Sequence, residues 1–105
     1  MKKADTKEVK KRIGLLVVAS EPEEIGNIIR AFDEDDYDFI TAKSVPEALS
    51  NITYRLPSVI VSEVELPDVD GFAFLEKIRK GIKTRLIPFV FITKSRGIKE
   101  RVHAF

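Results

Sequence analysis

Two apolar runs constrain this chain more than anything else in it. Ile13, Gly14, Leu15, Leu16, Val17, Val18 and Ala19 follow one another without a polar break, and Val59, Ile60 and Val61 run through Ser62 to Glu63. A strand with one wet face alternates apolar and polar residues, whereas an unbroken run of this length is expected of a strand covered on both faces by helices. The segments between such runs must then supply the helices. After the first run, Ser20 and Glu23 have the spacing of a capping box, with Pro22 in the first turn where its missing N–H is no loss. Ile25, Ile28, Ile29 and Phe32 recur at helical spacing and form one stripe to lay on the sheet.

The pattern repeats along the chain. A short strand is expected at Tyr37–Ala42, then a helix capped by Ser44 with Glu47 as its box partner, burying Ala48, Leu49 and Ile52. Arg55, Leu56 and Pro57 end that helix before a third strand over residues 58–63. Phe72, Leu75, Ile78 and Ile82 mark a third helix, Gly81 its C-terminal end, and Pro88 introduces a strand at Phe89–Thr93. Ile98, Val102 and Phe105 read as the opening of a fourth helix. Residues 1–11 are polar and rich in lysine, a leader without apolar periodicity, and residues 12–105 form the single folded domain. Strict alternation of strand and helix predicts an α/β fold, a three-layer αβα sandwich with a parallel sheet in the flavodoxin-like strand order 2-1-3-4. In that arrangement sites form beyond the C-terminal strand ends, so Ala19, Ser20 and Glu21 should meet Glu63.

Composition narrows the chemistry. The 105 residues contain no cysteine, which excludes a disulfide framework and thiolate metal sites and agrees with a cytoplasmic location. No apolar stretch approaches the roughly 20 residues of a membrane span. The net charge of +1 conceals an uneven distribution. Residues 21–38 hold eight acids against Arg30, while residues 77–101 hold nine Lys or Arg against Glu100. Such flanks serve solubility, or the basic one contacts an acidic partner or nucleic acid; no aromatic interleaving supports a single-strand platform, so nucleic acid is disfavoured. His103 is the sole histidine, placed in the final helix away from Ser20 and Ser62, and no glycine loop follows the first strand to cradle a phosphate.

With these elements in place, the segment from Val59 through Glu63 and on to Leu66, Pro67, Asp68, Val69, Asp70, Gly71 and Phe72 resembles the acceptor strand and loop of a response-regulator receiver domain. The resemblance runs from Ile13 to Phe105. It implies a two-component signalling role in which an aspartate four residues before the proline accepts a phosphoryl group from a histidine kinase. Here that position is Glu63. The family's acidic pair after the first strand corresponds to Ala19 and Ser20, with Glu21 next, a degenerate pocket for which no functional metal site is expected. Thr93 matches the hydroxyl switch residue, and Lys94 stands where the family has a small residue. Asp70 and its neighbour Asp68 are explained by loop and capping geometry.

The resemblance also implies a fifth strand and fifth helix that this sequence does not contain, which would leave the fourth strand as an open edge. A second copy of the chain, docking through Phe89–Thr93 and the segment from Ile98 to Phe105, is the expected cover, with a longer parent chain as the competing explanation. The expected function is an atypical receiver, not an enzyme, that acts without phosphorylation through contacts with a signalling partner. Glu63 either imitates the phosphorylated state or pairs with Lys94. The alternative is a genuine phosphoacceptor that uses Glu63 or Asp68 and Mg²⁺ held with the help of Glu21; a nucleic-acid-binding accessory ranks third.

Overall fold

The computed structural model describes residues 11–93 and, as backbone, a strand at residues 101–104. The strands are β1 (Ile13–Val18), β2 (Tyr37–Ala42), β3 (Val59–Glu63), β4 (Phe89–Thr93) and β5 (Arg101–Ala104), and the helices are α1 (Pro22–Arg30), α2 (Val45–Tyr54) and α3 (Gly71–Lys80). They form one sheet in the order β2-β1-β3-β4-β5, whose first four strands are parallel in the expected order. The expected leader, residues 1–11, lies outside the described residues except for Lys11.

Because β1 and β3 are central, their residues are buried from Gly14 to Val18 and from Ile60 to Glu63, and only the first residue of each strand is left partly open. Leu15, Val17 and Ala19 pack with Ile25 and Ile28 of α1, whereas Leu16, Val18 and Ile60 pack on the other face with Ala48 of α2 and Phe74 and Ile78 of α3. The alternation is the two-residue period of a strand, and covering both faces is what required continuous apolar runs. Burying each large side chain of this kind contributes about 2 kcal/mol. On the α3 face, Phe74, Phe89 and Phe91 interlock, with ring centroids 5.3 Å apart for Phe74 and Phe89 and 5.0 Å for Phe89 and Phe91.

Three sequence expectations change. First, the segment read as a fourth helix is a strand over residues 101–104: β5 pairs antiparallel with β4, placing Val90 opposite Ala104 and Phe91 opposite His103. Ile98 and Val102 are four residues apart, a spacing common to a helix stripe and to one strand face, and the open backbone edge of β4 decides between them. With that edge paired inside the chain, the reason for expecting a homodimer through Phe89–Thr93 and residues 98–105 disappears; residues 94–100 and 105 lie outside the described residues. Second, Ser20 does not cap α1. The helix begins at Pro22, so Glu21 is its N-cap residue, and no side-chain cap bond forms. Third, α3 buries Gly71, Phe74 and Ile78, while Ile82 lies beyond the helix end and is exposed.

Ser44 caps α2 as the spacing predicts, while Glu47 reaches back one residue past the cap. Ser44 Oγ accepts from the Glu47 N–H at 3.3 Å, and Glu47 Oε1 accepts from the Lys43 N–H at 2.9 Å. Asp38 on β2 joins distant segments, accepting from Arg12 Nε at 3.0 Å and from Arg55 Nη2 at 3.1 Å. The Arg55 hydrogen bond is the largest influence holding the Asp38 carboxyl below its ordinary value of 3.8; slight desolvation opposes it and Arg12 adds to it. Among the described residues, no helix is long and apolar enough to cross a membrane.

Candidate functional site

At the C-terminal ends of β1, β3 and β4 the parallel strands stop at staggered heights, and a pocket of about 270 Å³ opens between the segments that leave them. Ser20 and Glu21 line it after β1, Glu63, Val64 and Glu65 at the end of β3, and Ile92 and Thr93 at the end of β4. Ser20, Glu21, Glu63 and Thr93 therefore converge at the strand ends, where the strand order expected from the sequence would bring them. Lys94 lies outside the described residues, so its expected pairing with Glu63 does too. Ala19 lies just behind, fully buried, with its N–H continuing the ladder to the Ala42 carbonyl at 3.0 Å.

Glu63 is the unusual member. It is only 5% exposed, the last residue of a central strand, and its carboxylate turns toward β1, where Oε1 accepts from the Ser20 N–H at 3.3 Å. Burial of a carboxylate is costly unless hydrogen bonds or charges answer it, and a backbone N–H is one such answer. The bond ties the turn after β1 to the end of β3, and Glu21 and Pro22 then make the entry into α1. The Ser62 hydroxyl, likewise buried, donates to the Glu63 carbonyl at 2.9 Å and fixes the strand end from the other face.

The loop after β3 is held by Asp70 and Gly71. Asp70 is the N-cap of α3, its Oδ1 accepting from the Ala73 N–H at 2.9 Å, which is the capping role its position before a helix suggests. Gly71 is there for closeness. A Cβ on it would lie 2.6 Å from the Glu63 carbonyl oxygen and 2.6 Å from the Phe91 ring edge. The absence of a side chain lets α3 start directly against the strand that carries Glu63. Pro67 and Asp68 are exposed in the loop, away from the pocket lining. Glu65, Val64 and Ile92 line the pocket without having been singled out from the sequence; the only signal was their position one or two residues from a strand end.

Three carboxylates, Glu21, Glu63 and Glu65, with the Ser20 and Thr93 hydroxyls, make the described lining acidic. Their spacing is loose: among the described residues no group of three or more carboxylate or imidazole side chains is arranged to hold a metal ion.

Comparison with known proteins agrees with this geometry. Residues 15–105 match the family model of the response regulator receiver domain. Response regulator Rre1 of Synechocystis is 33% identical over 95 residues, which cover 89% of this chain and 41% of that protein, so the chain spans less than half of that relative. The N-terminal domain of a response regulator receiver protein from Methanoculleus marisnigri superposes with a TM-score of 0.69 at 26% identity, over 75% of this chain and 64% of that one. The chemotaxis response regulator CheY4 of Vibrio cholerae superposes with a TM-score of 0.72 over 77% of this chain and 68% of that one, and at 22% identity it speaks to the fold alone.

Proposed function

The chain belongs to the response regulator receiver family, and from that premise we propose that it is a signalling domain of the cytoplasm that acts without being phosphorylated, through contacts with protein partners. The observation that carries this reading is the buried Glu63 carboxylate, which takes the Ser20 N–H as a donor at 3.3 Å. A backbone N–H directed at the carboxylate brings positive partial charge to the place where a receiver needs an oxygen donor for a divalent ion. Ala19 and Ser20 add a methyl group and a hydroxyl where the family has carboxylates. Mg²⁺ requires near-octahedral oxygen coordination and gives up its water reluctantly, so this donor set does not suit it.

Without a metal-binding set, the pocket lacks the means to neutralise charge on a phosphoryl group during transfer. Glu63 instead places its carboxylate one methylene farther from the backbone than an aspartate would. Bonded to the Ser20 N–H and lining the same pocket as Thr93, that carboxylate biases the β4 end of the sheet toward one state, and output is then set by partner binding. The domain would have no reaction of its own.

The test is chemical phosphorylation. The protein is incubated with Mg²⁺ and acetyl phosphate, and its intact mass is followed. No added phosphoryl group is expected. A phosphoryl adduct mapped to Glu63 or Asp68 would replace this reading with that of a working phosphoacceptor.

A further inference from the structure

The parallel sheet has a second end. Where the segments enter the N-terminal ends of β3 and β4, residues 52–56 and Lys83 and Thr84 line a shallow groove of about 440 Å³. Around it the surface is unusual for an isolated domain: Tyr54 is 87% exposed, Leu86 is 86% and Ile82 is 85%. Single exposed apolar residues need no explanation, but several large ones gathered beside one groove do.

Tyr54 stands at the last turn of α2, and Ile82 and Leu86 are displayed by a loop that is firmly wound. Thr84 Oγ1 donates to the Ile78 carbonyl at 2.7 Å, and Arg79 Nη1 donates to the carbonyls of Arg85 at 3.0 Å and Ile87 at 2.9 Å. Backbone bonds from Arg85 to Gly81 and from Ile87 to Thr84 close the turns between them. Gly81 makes the tight start possible, since a Cβ there would collide with the Thr84 hydroxyl. A loop that is already ordered loses little entropy when something binds to it, which is the physical meaning of a preorganised surface.

Charge defines what fits. Residues 77–86 include Lys77, Arg79, Lys80, Lys83 and Arg85 and no acid. The groove thus offers apolar side chains beside a basic loop, with Asp38 the acid held against its lining residue Arg55. We propose that it docks a segment of a protein partner that presents Leu, Ile or Phe side chains flanked by Asp or Glu. The segment's apolar residues would cover Tyr54, Ile82 and Leu86, and its carboxylates would meet the basic loop.

A second copy of this chain is the poorer occupant. Its acidic surface, residues 21–36, carries no exposed large apolar side chain, so it would meet the cations and leave the apolar residues wet. Nucleic acid would likewise use the cations alone. The proposal stands apart from the reading of Glu63, because the groove and the pocket lie at opposite ends of the strands.

The test is selection of displayed random peptides of about 12 residues against the whole chain, followed by affinity measurement of resynthesised winners by fluorescence anisotropy. Enriched peptides should combine acidic and large apolar residues, and should shift the amide signals of residues 53–56 and 82–86. The double variant Ile82→Ser with Leu86→Ser, which removes only exposed side chains, should weaken them at least about tenfold, and Lys83→Glu should weaken them further at low salt. The proposal is overturned if no peptide is enriched, if winners bind the double variant equally well, or if they are basic. It is also overturned if sedimentation shows concentration-dependent self-association of the wild type that the double variant abolishes.

Discussion

Replacing Gly71 by alanine should damage both the fold and the pocket, by an amount that follows from the local geometry. The added Cβ would stand 2.6 Å from the Glu63 carbonyl oxygen and from Phe91 Cε1, where ordinary contact begins near 3.4 Å. One obstacle is strand backbone and the other is the edge of a fully buried ring, so neither can rotate away. Overpacking of this kind costs about 1–3 kcal/mol, from which the better helix propensity of alanine recovers a fraction. Taking about 2 kcal/mol, the melting temperature of a domain this size should fall by about 8–16 °C. Gly26→Ala is the control. In α1 its Cβ would meet only Arg30 Nη1 at 3.4 Å, so the propensity gain of about 0.5–1 kcal/mol should raise the melting temperature by a few degrees. Thermal melts by circular dichroism report both. If Gly71→Ala melts within about 2 °C of the wild type, the close approach of α3 to β3 is not a constraint and the reasoning fails.

Other consequences are as direct. Asp70→Ala removes the acceptor for the Ala73 N–H and should cost about 1 kcal/mol in urea unfolding, while Asp70→Ser should retain most of the stability. Asp38 is held below its ordinary value of 3.8 chiefly by Arg55, so its stabilisation is complete above that value and is lost as pH falls through the lower folded-state value. The difference in urea midpoint between wild type and Asp38→Asn should therefore shrink between about pH 5 and pH 2; a difference that grows would contradict the assignment. Glu63→Asp should not by itself restore phosphorylation by acetyl phosphate, because Ala19 and Ser20 still supply no carboxylate; an adduct in that variant would show that the rest of the pocket is intact.

The parallel core was legible because burial on both faces leaves an unbroken apolar run, and runs this short, bounded by turn and cap residues, have the length of strands. The site was legible for a related reason: parallel strands bring their C-terminal ends together whatever the loops contain, so Ser20, Glu21, Glu63 and Thr93 had to meet. What failed was local pattern reading where a long-range partner intervened. Ser20 with Glu23 and Ser44 with Glu47 have the same spacing, yet only Ser44 caps a helix, because α1 begins at Pro22 with Glu21 as its N-cap, while the Ser20 N–H is turned to Glu63, 43 residues away in sequence. Ile82 fits the stripe of α3 by spacing, but the helix ends at Lys80 and the wound loop turns it outward. In the segment at residues 101–104, four-residue spacing suggested a helix while an open strand edge required a strand. Periodicity carries no information about edges, and edges prevailed.

The central claim is that the Glu63 pocket no longer performs receiver chemistry, and backbone amide NMR during titration with Mg²⁺ and then beryllofluoride tests it most directly. Beryllofluoride imitates a phosphoryl group only where an acidic metal site and an acceptor carboxylate coexist. The account predicts no saturable shift at Ser20, Glu63 or Thr93 with either reagent. Saturable shifts at those amides, beginning with Mg²⁺ and growing with beryllofluoride, would contradict it and identify a pocket that still binds metal and phosphoryl.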